Sequence, residues 1–349
     1  LEWTASSELE RRIGDHLSEW LRSMWGSPTL AVGVALLLAR FRVEALPGAL
    51  PVLLLWFFAP LLAWWLSQPL ARREPRLAAE QTLFLRKVSR RTWRFFERYV
   101  GAADHWLPPD NFQEQPAAVV AHRTSPTNIG LALLANLAAH DFGYAALATL
   151  IERTRLMLAT LQGLERFRGH FYNWYDTQSL QPLAPAYVST VDSGNLAGSL
   201  LTLRPGLLAL ATQPIVPPRW LDGMADTLGV ALDAQGAAAP PAAAQCVALL
   251  QAARQERPDT LAAVRACLQG VLDRAAALAA DADAGVADEA RSWAQALLDQ
   301  CRAQLADLDE LAPWLRDGMA ERVEGLDALA RIPTLRELAC LEREVLPAL

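Results

Sequence analysis

Lysine is almost absent from the sequence: Lys87 is the only one, and arginine supplies the rest of the 32 basic residues. The 349-residue chain also has only four cysteines and five histidines, and no two cysteines form a CxxC pair. All the histidines precede all the cysteines, which are Cys246, Cys267, Cys301 and Cys340. This separation provides neither a zinc-type spacing nor a disulfide framework. We therefore expect buried cysteines in a reducing compartment, no metal site and no cofactor.

The 38 acidic and 32 basic residues are unevenly distributed along the chain. Residues 71–100 contain nine basic and three acidic side chains, whereas residues 221–349 contain eleven basic and twenty-one acidic ones. This asymmetry predicts different surroundings for the two ends. The basic cluster is short, follows an apolar run and is accompanied by no nucleic-acid motif, so a nucleic-acid partner is not expected.

Charge is missing from Leu46 to Leu66, a run of about twenty residues that matches the ~30 Å hydrocarbon core of a bilayer. Trp64 and Trp65 end the run, and an arginine-rich stretch beginning at Arg72 follows it. The positive-inside rule then places that side in the cytoplasm. The earlier apolar run, Thr29 to Ala39, is too short to span alone and would complete a hairpin or be re-entrant. The alternative is a buried core helix.

Three helices are predicted in the middle of the chain. Ser125 followed by Pro126 is a strong start signal for a helix that runs to Ala139. A second helix runs from Tyr144 to about Arg166, and a third begins with Asp192 or Ser193 as its N-cap and extends to about Leu210. Because the second helix runs back across a tight turn, the starts of the first and third helices should lie on one face.

The aromatic loop, Gly169 to Asn195, lies on that face and has no helical or strand period. It contains FYNWYD from Phe171 to Asp176 and TVDSGN from Thr190 to Asn195. Aromatic faces stack on pyranose rings, while carboxylates and amides hydrogen-bond sugar hydroxyls. A long loop without internal structure is usually either functional or disordered, and the aromatic content argues against disorder. The sequence therefore predicts a sugar-binding surface.

Two questions about this loop have alternative answers. Asp176 and Asp192 form a carboxylate pair suited to glycoside chemistry, or both are structural. In the structural case, which we favour, Asp192 is a helix N-cap and Asp176 accepts hydrogen bonds from backbone N–H groups of the loop. Trp174 is either a stacking platform for a sugar or a core side chain.

Two long stretches carry a resemblance to a known family: TSPTNIGLALLANLAAHDFGY, from Thr124 to Tyr144, and GHFYNWYDTQSLQPLAPAYVSTVDSGNLAGSLL, from Gly169 to Leu201. Together, and following an apolar run, they closely resemble the membrane-bound cyclic β-1,2-glucan synthases. The resembling segment is the one in which transmembrane helices lead into a glucoamylase-like α/α domain. The resemblance implies a large bacterial inner-membrane enzyme with a cytoplasmic soluble part.

Such an enzyme builds linear β-1,2-glucan from UDP-glucose in a transferase domain, cyclises it by transglycosylation in the middle domain, and adjusts its length in a phosphorylase-like domain. The implied partners are β-1,2-glucan, the lipid bilayer and the remaining domains of the same synthase. The transferase motifs should precede Leu1, and the glutamates that act as acid and nucleophile should follow Leu349. The resemblance thus implies an internal piece with no independent activity and with its catalytic residues elsewhere.

The residues that match the family's motifs are candidates to line the start of the glucan groove. From the aromatic loop they are Asn173, Trp174, Tyr175, Asp176, Asp192, Ser193 and Asn195. From the preceding motif they are Ser125, Thr127 and Asn128.

The predicted fold class is all-α, in three regions. Residues 1–76 are membrane-associated and contain the span at 46–66, and residues 77–215 begin an α/α toroid. Residues 216–349 form an Ala/Leu-rich helical bundle of about five helices, with a loop from Gln235 to Ala244 and with Trp293 and Trp314 packed between helices. No chemical motif appears in this last region. The competing hypothesis is a membrane-anchored helical scaffold with no catalytic role.

Overall fold

The computed structural model of the chain describes residues 16–68, 77–235, 240–281, 288–315 and 330–345. Across these ranges the protein is all-α, as predicted, with twelve α-helices. The helices are α1 Leu17–Ser23, α2 Gly26–Phe41, α3 Leu46–Leu66, α4 Ala79–Tyr99, α5 Pro126–Asp141, α6 Leu147–Gly163, α7 Thr190–Leu210, α8 Arg219–Gln235, α9 Pro241–Glu256, α10 Leu261–Asp281, α11 Asp288–Leu311 and α12 Leu335–Val345.

Six strands of two residues each form three antiparallel pairs among the described residues. They are β1 Phe112–Gln113, β2 Val119–Val120, β3 Arg123–Thr124, β4 Arg166–Phe167, β5 His170–Phe171 and β6 Tyr175–Asp176. The chain divides into two compact units, Leu1–Arg76 and Leu77–Leu349.

Helix α3 forms the long apolar element of the first unit, and it has the bounds that the missing charge predicts. With the preceding 3₁₀ turn it extends over Val43–Leu66, 24 residues with mean hydropathy 2.0, and only 11% of its most apolar stretch is buried. Among the described residues it is the single unbroken helix that is long and apolar enough to cross a membrane. The hydroxyl of Ser27 on α2 donates to the carbonyl of Trp56 on α3 at 2.7 Å.

Helices α1 and α2 are bent by 61° at the break between them, and together they pass the same test of length and apolarity. Helix α2 has 16 residues, which agrees with an apolar run too short to span alone. The first three arginines after this run, Arg72, Arg73 and Arg76, lie outside the described residues.

Helix α5 begins as predicted and α6 begins later than predicted. The Ser125 hydroxyl accepts from the backbone N–H of Asn128, the N-cap contact that the sequence indicates. Helix α6 starts at Leu147 rather than Tyr144 because tertiary contacts fix the intervening turn. In that turn Gly143 has φ +79°, and a Cβ there would lie 2.2 Å from the Arg219 carbonyl oxygen.

The predicted N-cap of α7 is wrong. Ser189 occupies that position, and Asp192 lies in the first turn of the helix. The Ser189 hydroxyl accepts from the Asp192 backbone N–H at 3.2 Å and donates to the Asp192 carboxylate at 2.6 Å. The spacing Ser-x-x-Asp therefore behaves as a variant of the capping box, in which the residue three positions on supports the cap.

Helices α5 and α7 pack side by side and run in the same direction. Their contacts advance together along both chains: Thr127 meets Asp192, a Cβ at Gly130 would lie 2.7 Å from the Ser199 hydroxyl, and one at Gly206 would lie 2.3 Å from Leu137. From one pair to the next the residue numbers increase on both helices. The helices are therefore parallel, and their N-termini lie at the same end. The predicted convergence of the two motifs on one face is therefore present.

Five helices, α8 to α12, follow in the described part of residues 216–349 and share the largest apolar core. Helix α9 begins at Pro241, inside the stretch predicted as a loop up to Ala244, because proline suits the first helical position. Cys246 and Cys301 are buried as expected, whereas Cys340 is exposed, contrary to expectation. Trp293 is buried against α8.

Basic side chains of α4 contact acidic side chains of residues 221–349. The prediction that residues 71–100 and 221–349 have different surroundings is therefore wrong. Arg86 pairs with Asp226 at 2.7 Å, and Lys87 pairs with Asp233 at 2.7 Å. Arg90 is fully buried between the rings of Tyr144 and Trp293. These cations therefore join α4 to α8 and α11.

Candidate functional site

Strand pairing brings the two sequence motifs together. Strand β3, just before α5, pairs with β6 of the aromatic loop, so that Arg123 lies opposite Asp176 and Thr124 opposite Tyr175. The backbone N–H of Thr177 extends this contact by donating to the His122 carbonyl at 3.0 Å. The aromatic loop is thereby fixed against the N-terminal ends of α5 and α7.

Asp192 is the centre of a polar network at those helix ends. Its carboxylate accepts from the Thr127 hydroxyl at 2.6 Å and from the Ser189 hydroxyl at 2.6 Å. Asn195 donates to the same Thr127 hydroxyl at 3.0 Å. Burial acts to raise the pKa of Asp192, but the hydrogen bonds from Ser189, Thr127 and Ser125 outweigh it, so the pKa lies below its ordinary value. Asp192 is thus an ionised acceptor at neutral pH.

Asn173 connects this network to the aromatic side chains. Its amide nitrogen donates to Asp192 at 2.8 Å, and its amide oxygen accepts from the indole N–H of Trp174 at 2.9 Å and from the Tyr187 hydroxyl at 2.8 Å. The backbone N–H of Asn173 also donates to the Tyr187 carbonyl at 2.8 Å. Asn173 is buried, so its fixed amide orients the partly exposed indole of Trp174.

A guanidinium lies over the Trp174 ring. The Arg123 carbon Cζ is 5.2 Å from the ring centroid, a cation–π distance. Asp110 holds this guanidinium by accepting from its Nη2 at 3.0 Å and from its Nε at 3.2 Å. Asn128 donates to the other oxygen of Asp110 at 3.2 Å. One part of the tryptophan surface is therefore covered by a charged side chain.

Asp176 has a structural position within the loop. Its Oδ1 accepts from the backbone N–H groups of Gln178 at 3.0 Å and Ser179 at 2.7 Å, and from the Ser179 hydroxyl at 3.0 Å. These bonds, the backbone bond from Ser179 first, hold the pKa of Asp176 below its ordinary value. A glycosidase general acid needs a raised pKa, so neither Asp176 nor Asp192 has the electrostatics of that acid.

In three other candidates the side-chain hydroxyl is engaged in hydrogen bonds within the protein. Tyr175 is fully buried; its hydroxyl accepts from the Tyr172 N–H at 2.8 Å and donates to the Glu165 carbonyl at 2.7 Å. Ser125 is buried as the cap of α5. The hydroxyl of Ser193 donates to the Ser189 carbonyl at 2.7 Å. Asn195 is exposed, and the half-buried members of the set are Thr127, Asn128, Trp174, Asp176, Asp192 and Ser193.

Sequence reasoning missed three participants: Asp110, Arg123 and Tyr187. Arg123 directly precedes the first motif, and Asp110 lies in the proline-rich break before it. Their contribution depends on strand register and loop geometry, for which the sequence offers only the proximity of Arg123 to Thr124. Within the described ranges, no group of three or more His, Cys, Asp or Glu residues has the arrangement of a metal site.

Comparison with known proteins finds a relative of this chain by sequence. No protein-family model matches the chain. Over 237 residues, or 67% of its length, the chain is 39% identical to cyclic beta-(1,2)-glucan synthase NdvB of Rhizobium meliloti (strain 1021). The matched part makes up 8% of that synthase, so the chain spans a small fraction of the relative's length. The resemblance carried by the two motifs is therefore confirmed: over two thirds of its length, this chain is similar to a part of a cyclic β-(1,2)-glucan synthase.

Proposed function

We propose that this chain is a segment of a membrane-bound cyclic β-1,2-glucan synthase, in which it supplies a membrane anchor and one wall of the domain that holds and cyclises the glucan. The observation that carries the proposal is the fixed indole of Trp174 beside an ionised polar network. Trp174 is partly exposed, while Asn173 and Asp192 behind it are held by hydrogen bonds. An aromatic face next to amides and carboxylates suits a pyranose ring and its hydroxyls.

The parallel packing of α5 and α7 supports a role for this wall in an α/α toroid. In such a ring the inner helices start on the substrate face, and both N-termini here carry a motif of the candidate site. Helix α6 runs back between them in sequence, as the outer helix of a hairpin does. We propose that further helices of the synthase complete the ring and carry the acid and nucleophile.

The membrane role rests on α3. Its charge-free length matches a bilayer core, and its side chains are mostly exposed, as expected for a lipid-facing helix. We propose that it spans the bacterial inner membrane with the following arginines, from Arg72 onward, on the cytoplasmic side. The soluble part is then cytoplasmic, where UDP-glucose is available to the transferase domain.

The test is to measure the binding of linear β-1,2-glucan to the purified chain by titration calorimetry. We expect measurable affinity that is weakened by Trp174→Ala. We also expect no turnover of UDP-glucose by the chain alone, because the transferase of such a synthase is another domain. We expect no turnover of linear β-1,2-glucan either, because neither Asp176 nor Asp192 has the raised pKa of a glycosidase acid. Turnover by the chain would overturn the assignment of catalysis to other parts of the synthase.

A second candidate function, a membrane-anchored scaffold, is favoured by exposed apolar side chains on α7. Val191, Leu201 and Leu208 are 70%, 75% and 60% exposed, and their spacing places them along one side of the helix. Such a stripe is typical of a surface that contacts another protein segment. A scaffold has no need of an oriented indole, so glucan affinity that depends on Trp174 separates the two functions.

A further inference from the structure

Tyr187 has an unusual orientation in the aromatic loop. It is 47% exposed, yet its hydroxyl is directed to Asn173, which is buried. The phenol oxygen donates to the Asn173 amide oxygen at 2.8 Å. A tyrosine at a protein surface ordinarily keeps its polar tip in water and its ring against the protein. Here the hydroxyl is engaged with the protein, which leaves the apolar ring as the main group that a ligand can meet.

Trp174 has the same arrangement. Its indole N–H, the one polar group of the ring, donates to the same Asn173 oxygen at 2.9 Å. One amide oxygen therefore accepts from both aromatic side chains, and both polar edges lie within 2.9 Å of a single atom. Because the edges converge there, Tyr187 lies beside Trp174 on the surface where we propose that the glucan binds.

Backbone hydrogen bonds hold the two aromatic residues together. The N–H of Asn173 donates to the Tyr187 carbonyl at 2.8 Å, and the N–H of Leu183 donates to the Trp174 carbonyl at 2.9 Å. The segment that carries Tyr187 is thus paired with the segment that carries Trp174. The amide nitrogen of Asn173 donates in turn to Asp192 at 2.8 Å. The network that orients Trp174 therefore orients Tyr187 as well.

The Tyr187 ring is free of the contacts that would cover it. In the described part of the chain, neither Tyr187 nor Trp174 stacks on another aromatic ring. Arg123 lies over the Trp174 ring, whereas no cation of the described residues lies over that of Tyr187. A fixed, unstacked ring whose hydroxyl already has a partner is suited to stack on the apolar face of a pyranose.

We propose that Tyr187 is a second aromatic contact for the glucan, beside Trp174 and oriented by the same amide of Asn173. The inference rests on the proposed function, which supplies β-1,2-glucan as the ligand. Two aromatic side chains whose edges converge on one atom can contact the same glucan chain. Tyr187 then contributes to affinity through its ring, and its hydroxyl serves to orient that ring.

Two substitutions separate the ring from the hydroxyl. Tyr187→Phe keeps the ring, so its affinity for linear β-1,2-glucan should stay close to that of the wild-type chain. Tyr187→Ala should bind about three- to tenfold more weakly, the effect of one aromatic stacking contact. Equal losses in the two variants would assign the effect to the hydroxyl and overturn the inference. An unchanged affinity of Tyr187→Ala would overturn it as well.

Phe84→Ala is the matched control, because Phe84 is another exposed aromatic residue, at 65%. It lies on α4 near the C-terminal end of α5, since the neighbouring Arg86 is 5.6 Å from the centroid of the Phe142 ring. The aromatic loop lies at the other end of α5. The affinity of Phe84→Ala for the glucan should therefore equal that of the wild-type chain.

A second measurement does not depend on the folding of Tyr187→Ala. The chain has five tyrosines. After labelling with fluorotyrosine, the fluorine resonance of Tyr187 is assigned by its absence from the spectrum of Tyr187→Phe. It should move as linear β-1,2-glucan is added and should saturate with the affinity measured by calorimetry. An unmoved resonance at saturating glucan overturns the inference while the proposed function stands, and absence of any glucan binding by the wild-type chain overturns both.

Discussion

Thr127 and Asp192 join the first turns of two parallel helices through a 2.6 Å hydrogen bond from the Thr127 hydroxyl to the Asp192 carboxylate. The bond fixes the relative position of the two sequence motifs at the helix ends. Because Asp192 also accepts from Ser189 and Asn173, one carboxylate connects α5, α7 and the aromatic loop.

Asp192→Ala should destabilise the chain by about 1–3 kcal/mol, because it removes the support of the α7 cap and leaves hydroxyl and amide donors unpaired. The pKa of Asp192 is lowered in the native state, so its contribution is present above the unfolded value near 3.8 and is lost as the pH falls through the native pKa. Urea unfolding at pH 7 and pH 3 measures both effects. Ser193→Ala, which removes one hydroxyl, is the control, and equal losses for the two variants would contradict the role of Asp192.

Trp174 and Tyr175 are adjacent and should respond differently to substitution. Trp174→Ala should weaken glucan binding several-fold, because an aromatic stacking contact contributes on the order of 1 kcal/mol in addition to the area it buries. The melting temperature should change little, because the indole is partly exposed. Tyr175→Phe should leave affinity unchanged and lower stability by about 1–3 kcal/mol, because a buried N–H and carbonyl lose their partner. If Trp174→Ala instead lowers the free energy of unfolding by about 3–5 kcal/mol and leaves glucan affinity unchanged, Trp174 is a core residue.

Local signals in the sequence were enough to predict the charge-free helix from Leu46 to Leu66 and the Ser125 cap. The cap of α7 was misplaced because Ser, Asp and Ser all occur within five residues, and side-chain geometry decides between them. The burial of Tyr175 depends on a hydrogen bond to the Glu165 carbonyl, ten positions away in sequence. Likewise, the ion pairs of α4 depend on partners about 140 positions away, which no local pattern indicates.

Two ion pairs of α4 give a matched comparison between a buried and an exposed carboxylate. Asp226→Ala should cost about 3–5 kcal/mol, since Asp226 is 2% exposed and its loss leaves the Arg86 guanidinium without its carboxylate partner. Asp233→Ala should cost less than about 1 kcal/mol, because the Asp233 side chain is 48% exposed in its pair with Lys87. Urea unfolding of the detergent-solubilised chain measures both, and similar values for the two would show that burial is not the deciding factor.

Asp307 should make stability depend on pH near neutrality. It accepts from the N–H groups of Leu147 and Ala148 at the start of α6, and burial raises its pKa to about 6. Because the native pKa lies above the unfolded value, the stabilisation is full below about pH 4 and is lost as the pH rises through 6. The loss is on the order of 2–3 kcal/mol.

Asp307→Asn keeps an oxygen that can accept from both N–H groups but cannot ionise. Its stability relative to the wild-type chain should therefore rise between pH 4 and pH 7. Urea unfolding at intervals of one pH unit measures the difference. Parallel profiles for the two proteins would show that Asp307 does not ionise in this range.

Helix α3 should hold the chain in the membrane. After expression in bacteria, the chain should stay in the membrane pellet on carbonate extraction, because the helix has no charge over its length. Leu55→Arg together with Leu62→Arg, at two exposed positions, should release a large fraction into the supernatant. Release of the wild-type chain by carbonate would contradict a spanning helix.

The central claim is that the face formed by the aromatic loop and the starts of α5 and α7 binds β-1,2-glucan. Titration calorimetry of the wild-type chain with linear β-1,2-glucan, beside a β-1,3-glucan of similar length, tests it most directly. The account predicts saturable binding of the β-1,2-linked chain, weaker binding of the other glucan, and a several-fold loss of the first in Trp174→Ala. No binding of β-1,2-glucan, or binding that Trp174→Ala leaves unchanged, would contradict it.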